Sequence, residues 1–126
     1  MPYKKFAVIG AGRYGREICQ RLSAQGAEVV AFDVSDERIE EIKDVVSLAI
    51  TLDSTDRRVL KANKIEDMDA VIIAIGEDFE ATILTAINLI DLEVKRVIAR
   101  ASGETQRRIL EKIGVEEVLS PESEVA

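Results

Sequence analysis

Residues 10–15 read Gly10-Ala11-Gly12-Arg13-Tyr14-Gly15, directly after the apolar run Phe6-Ala7-Val8-Ile9. A bare G-x-G-x-x-G is weak evidence, because glycine-rich hexapeptides arise by chance; its setting decides the matter. Ahead of it, residues 4–9 form a short β-rich run. Behind it, Tyr14, Ile18 and Leu22 recur at i, i+4 and i+8 across residues 13–25, and Gly26 stands where such a helix would stop. Asp33 follows 18 residues after Gly15, at the end of a second apolar run, close to the spacing of about 20 expected of a dinucleotide fold. Each part has a mechanical reason. Gly10 permits the tight turn, Gly12 lets the backbone approach a pyrophosphate, and Gly15 lets the helix pack on the strands. The helix N-terminus offers free N–H groups and partial positive charge to phosphates. Asp33 can accept hydrogen bonds from the adenosine ribose hydroxyls, and its charge disfavours a 2′-phosphate. The alternative is a tight strand–helix turn that holds no ligand.

Outward from this unit the chain keeps one beat of apolar run, polar turn and amphipathic stretch. Residues 28–32 form a second strand. Ser35 can cap a helix whose first turn carries Asp36 and Glu37, with Ile39 and Ile42 on its apolar face. Residues 45–52 are expected as a third strand, and Ser54 or Thr55 as the opening of a helix through Val59 and Leu60. Residues 70–75 are continuously apolar, the mark of a central parallel strand covered on both faces. Residues 78–90 place Ile83, Ala86, Ile87 and Ile90 at helical spacing. A fifth strand at 96–101, a helix at 104–113 stopped by Gly114, and a short sixth strand at 117–119 complete the series. Such alternation predicts an α/β fold: a Rossmann-type, doubly wound, mainly parallel six-stranded sheet with helices on both faces. Residues 1–126 are expected to form one domain.

Composition narrows the function. Hydrophobic residues make up 47% of the 126 and charged ones 33%, which suits a soluble globular chain with a core of its own. Cys19 stands alone and fits a reducing compartment. No apolar run reaches the roughly 18–20 residues of a transmembrane helix. With no signal peptide at the N-terminus either, a cytoplasmic location is expected. The net charge of −7 supplies no concentrated basic face for nucleic acid. The absence of histidine excludes histidine-dependent triads and zinc sites.

Further motifs follow in order: Asp53-Ser54-Thr55, then AVIIAIG at 70–76, VIARAS at 97–102 and LEKIGVEEVLSPE at 110–122. Together with GAGRYG and Asp33, they make residues 6–122 resemble the N-terminal nucleotide-binding domain of RCK/KTN proteins. These are the TrkA/KtrA-like cytosolic regulators of potassium channels and transporters. The resemblance implies a fold that binds an adenine nucleotide (ATP, ADP, AMP or NAD(H)), forms a homodimer and often builds an octameric ring. Its partner would be a membrane-embedded potassium channel or transporter subunit, gated as the nucleotide changes the ring's shape. The chain would then lie at the inner face of the membrane.

Carried over residue by residue, Gly10, Ala11, Gly12, Arg13, Tyr14 and Gly15 would hold the phosphates and Asp33 the ribose. Asp53, Ser54 and Thr55 would lie along the adenosine, Ala74, Ile75 and Gly76 would flank the nucleotide, and Arg100 can reach a phosphate. Arg13 can grip a terminal phosphate in bidentate fashion. Arg13-Tyr14 also resembles the GR-aromatic-G loop of Ktr-like and Kef-like members, which tilts the implied ligand toward ATP, ADP or AMP without excluding NAD. Each has a plainer reading: a helix cap at Asp53-Ser54-Thr55, a strand end at Gly76, a surface ion pair at Arg100, a solvent-facing Arg13. Tyr14 suits helix packing, and Cys19 suits core. Glu122 matches a position where some Ktr-like members bind Mg2+ or Ca2+ between two subunits. The resemblance takes up residues 6–122, so the C-terminal regulatory domain most members carry is not expected within this sequence. Two other classes stay open: an NAD-dependent oxidoreductase fragment, or another nucleotide- or redox-sensing module. Neither a substrate domain nor a proton-transfer group is on view for the former.

Overall fold

In the computed structural model, which describes residues 4–120, strand and helix alternate as the apolar beat requires. The order is β1 (Lys5–Ile9), α1 (Arg13–Ala24), β2 (Glu28–Asp33), α2 (Asp36–Ile42), β3 (Leu48–Thr51) and α3 (Arg57–Ala62). There follow β4 (Ala70–Ile73), α4 (Phe79–Asp91), β5 (Val97–Arg100), α5 (Glu104–Ile113) and β6 (Glu117–Leu119), with a 3₁₀ turn at Ile65–Asp67 before β4. The strands form one sheet in the order β3-β2-β1-β4-β5-β6, and every neighbouring pair is parallel. This is the doubly wound order of dinucleotide folds.

Strand pleating divides the apolar side chains between two cores. Ala7 and Ile9 of β1 and Phe32 of β2 face a layer that contains Leu60 of α3, Leu89 of α4 and Leu110 of α5. Val8 of β1 and Val29 and Ala31 of β2 face the other way, onto Cys19 of α1 and Ile39 and Ile42 of α2. Both faces of the sheet are therefore covered, which is why its central strands read as continuous apolar runs. Each wholly buried leucine contributes roughly 1.5–3 kcal/mol of transfer free energy. Cys19 is fully buried and its thiol is pushed up to about 11 by that burial, so it belongs to the core. Among the described residues no helix is long and apolar enough to cross a membrane.

Most boundaries fall within a residue of expectation, and those of β3, β4 and α3 shift for reasons the contacts show. The third strand begins at Leu48 rather than at 45, because Val45 donates its N–H to the Ile42 carbonyl at 2.9 Å and closes off α2. Val45 and Val46 then pack against the α1–α2 core. The fourth strand ends at Ile73; Ala74 donates to the Ile9 carbonyl and Ile75 leaves the sheet to line a cleft. Neither Ser54 nor Thr55 opens α3. Asp56 does, its carboxylate accepting from the Arg58 N–H at 3.0 Å.

Candidate functional site

The strand order reverses between β1 and β4, so the chain leaves their carboxyl ends in opposite directions and a crevice opens between the loops. It is a cleft of about 650 Å³. Gly10, Gly12, Arg13 and Tyr14 line it, as do Ala74, Ile75 and Gly76 and, from other strand ends, Asp33, Asp53, Ser54, Thr55 and Arg100. The structure thus gathers most of the expected residues around one space. Ala11 and Gly15 stand behind its wall, and Glu122 lies outside the described residues.

The three glycines differ in what demands them. Gly10 has φ +107°, and a β-carbon there would lie 2.7 Å from the Ala74 carbonyl oxygen. At Gly15 a β-carbon would fall 1.7 Å from the Gly10 oxygen, inside any permissible contact. Backbone packing alone requires both. Gly12 is different: its φ of −76° suits any residue, and a β-carbon would meet only the Arg38 guanidinium, at 3.5 Å. Nothing in the fold needs glycine there. What it leaves is a bare backbone at the start of α1, beneath the Arg38 guanidinium, with no N-cap side chain bonded to the first-turn N–H groups.

Asp33 ends β2 and is buried. Its Oδ2 accepts from the Ala11 amide at 2.6 Å and its Oδ1 from the Ser35 amide at 2.8 Å. The carboxylate therefore ties the glycine loop to the start of α2 while still facing the cleft, and each oxygen keeps a lone pair for a ligand hydroxyl. Just beyond β3, the Thr55 N–H and hydroxyl both donate to Asp53 Oδ1, at 2.9 and 2.6 Å. The Ser54 hydroxyl shares a 2.6 Å hydrogen bond with Thr85 of α4, and Asn88 Nδ2 donates to the Ser54 carbonyl at 3.1 Å. Ser54 thus fastens the wall to α4 through its side chain.

Among the described residues, Arg100 pairs with no surface acid. Its guanidinium lies 4.6 Å from the centroid of the Tyr14 ring, a cation–π contact, and its buried Nε has no hydrogen-bond partner among the described residues. Tyr14 both packs against the α1–α2 core and lines the cleft. Arg13 is exposed at the rim.

Sequence reasoning missed Arg38 and Glu77. Arg38 is the third residue of α2, and Ser35 caps that helix by accepting from the Arg38 N–H at 3.2 Å. Its side chain reaches over Gly12 to Glu77, in the loop after β4, with Nη1 3.1 Å from Oε1 and 3.8 Å from Asp33 Oδ2. The hydrogen bond and charge of Glu77 raise the Arg38 pKa further above its ordinary value, so the guanidinium stays charged. Only the alternation of polar residues along a helix marked this arginine, and that pattern is common to any solvent face. No cluster of acidic or cysteine side chains suited to a metal ion occurs among the described residues.

A family model described as the TrkA-N domain matches residues 6–121. The chain belongs to the TrkA-N domain family. Among its relatives in that family's potassium systems, it is 41% identical over 123 residues to Ktr system potassium uptake protein C of Bacillus subtilis, covering 98% of this chain and 56% of that protein. It is 38% identical over 122 residues to Ktr system potassium uptake protein A of Vibrio alginolyticus, covering 97% of this chain and 56% of that one. The chain thus spans about half the length of these curated relatives. Among solved structures, the NAD(P)-binding domain of an exopolyphosphatase-related protein from Archaeoglobus fulgidus superposes with a TM-score of 0.87. Its identity is 28%, over 98% of this chain and 92% of that one. The resemblance drawn from the motifs holds at the level of the family and of the Rossmann-like fold.

Proposed function

We propose that this TrkA-N chain binds an adenine nucleotide in the cleft between β1 and β4 and, through a ligand-dependent change of shape, regulates a membrane-embedded potassium channel or transporter subunit. Gly12 carries the reading. The fold does not need glycine there, and its missing side chain leaves the backbone bare above an uncapped helix N-terminus, where a phosphate fits. Asp33 would take the ribose hydroxyls, Arg13 and Arg100 would face the phosphates, and Asp53 to Thr55 and Ala74 to Gly76 would flank the base and sugar. The names of the two Ktr relatives support the potassium assignment, and the Archaeoglobus neighbour's name supports a nucleotide as ligand.

In this reading the chain is a sensor at the inner face of the membrane, works as a homodimer within a larger assembly, and turns nothing over. Equilibrium titration with ATP, ADP, AMP and NADH, run beside a turnover assay for each, tests it. Micromolar-range binding without turnover is expected. Steady consumption of a nucleotide would replace the sensor with an enzyme, and failure to co-purify with a potassium-transport membrane subunit would remove the partner.

A further inference from the structure

We propose that Arg38 is a further ligand-binding residue of this cleft and that Glu77 holds it in reserve, its carboxylate standing in for a phosphate of the incoming nucleotide. The inference rests on the nucleotide reading above and adds the residue that senses the phosphate and the contact that competes with it.

The geometry is that of a strap. Arg38 lies in the first turn of α2 and Glu77 follows β4, yet their side chains meet at 3.1 Å across the cleft, with the guanidinium over Gly12. A phosphate approaching the Gly12 backbone would therefore have the uncapped N–H groups of α1 on one side and this guanidinium on the other. The bond it must displace is weak. The Arg38 and Glu77 side chains are 41% and 68% exposed, and Glu77 makes a single contact rather than a fork. Exposed pairs of that kind contribute little because water competes for both partners. A phosphate offers more charge and a bidentate match to the same guanidinium, within reach of the positive end of α1. Asp33, with Oδ2 3.8 Å from Nη1, keeps the guanidinium over the cleft when Glu77 lets go. Occupancy then frees Glu77, the residue just ahead of the Asp78 cap of α4.

Calorimetric titration of ATP and of adenosine into the unaltered chain, Glu77→Gln, Arg38→Gln and the double variant tests this. Both positions are at least partly exposed, and thermal melts check that each variant stays folded. Glu77→Gln should tighten ATP about two- to fivefold, the strength of an exposed pair, and leave adenosine unchanged. Arg38→Gln should weaken ATP roughly tenfold, again sparing adenosine. In the Arg38→Gln background the gain from Glu77→Gln should vanish. A gain that persists there is only the loss of a negative charge from the rim, and it overturns the proposal. So does the absence of any gain in the single variant, or an equal loss of ATP and adenosine on removing Arg38. If the unaltered chain binds no adenine nucleotide, the functional reading falls as well. If ATP binds and Gly12→Val abolishes it while Glu77→Gln changes nothing, only the role of Arg38 and Glu77 falls.

Discussion

Gly12 separates ligand binding from folding at the level of one residue. Its β-carbon would touch only a guanidinium tip that can swing aside, whereas at Gly15 it would collide with the Gly10 oxygen. Gly12→Val should therefore abolish nucleotide binding with the melting temperature shifted by only a few degrees, about 1 kcal/mol or less for a domain of this size. Gly15→Ala should cost the folded state itself. Titration and thermal denaturation of the two variants check the contrast, and a Gly12→Val chain that binds as tightly as the parent removes the phosphate-loop assignment. Asp33→Ala should weaken ATP, ADP and NAD alike, since each carries the adenosine ribose. It should also lower stability by about 1–3 kcal/mol, because the Ala11 amide loses its buried acceptor. Arg13→Ala should hurt ATP most, and an equal loss for adenosine and ATP would remove its phosphate role.

Among the elements, α4 does two jobs. Its N-terminal cap, Asp78, and Ala81 line the cleft, while Thr85 and Asn88 hold the Ser54 wall. Thr85→Val strands the Ser54 hydroxyl in the core and should cost about 1–3 kcal/mol in urea unfolding; adding Ser54→Ala should return part of that loss. At the far edge, Arg96 grips Glu117 of β6 with Nε and Nη2 at 2.6 and 2.8 Å. Hydrogen bonding from Arg96 chiefly, with burial opposing and its charge adding, holds the Glu117 carboxyl below its ordinary 4.5. A lowered acid contributes fully above the unfolded value and fades as pH falls through the folded one. Thermal melts from neutral pH into acid should show a small loss beginning near that value, and Glu117→Gln should remove that part of the dependence.

Among the described residues, apolar side chains stay exposed on α4 and α5. The apolar residues of α4 divide on folding: Ala86 and Leu89 enter the core, Ile83 and Ile90 are half-buried, and Leu84 and Ile87 remain 44% and 37% exposed. Ile109, on the neighbouring α5, is 37% exposed. A homodimer is the expected outcome, burying on the order of 1,200–2,000 Å² in total with α4 near its two-fold axis. Sedimentation at tens of micromolar should show the dimer for the parent and a monomer for Leu84→Glu combined with Ile87→Glu. A clean 13.9 kDa monomer for the parent, with or without nucleotide, would remove the dimer.

The order of strands and helices was legible in the sequence because burial on two sheet faces and on one helix face writes itself as local periodicity. The same holds for Gly15, whose β-carbon would collide with the Gly10 oxygen five residues back, whereas Gly10 is also constrained by Ala74, which only the β1–β4 pairing brings near. Asp33 could be found by spacing, since one crossover helix fixes how far the second strand lies from the first. Where polar side chains point is another matter. Ser54 reads as a helix cap from its neighbours, yet its hydroxyl meets Thr85, 31 residues away; Arg38 reads as a solvated helix face, yet it crosses to Glu77, 39 residues away. Arg100 lies on Tyr14 because β5 and α1 converge at one end of the sheet. Periodicity reports whether a residue is buried. Only the strand order β3-β2-β1-β4-β5-β6, which brings distant loops to one crevice, decides which polar groups meet there, because their pairing leaves no repeating trace along the chain.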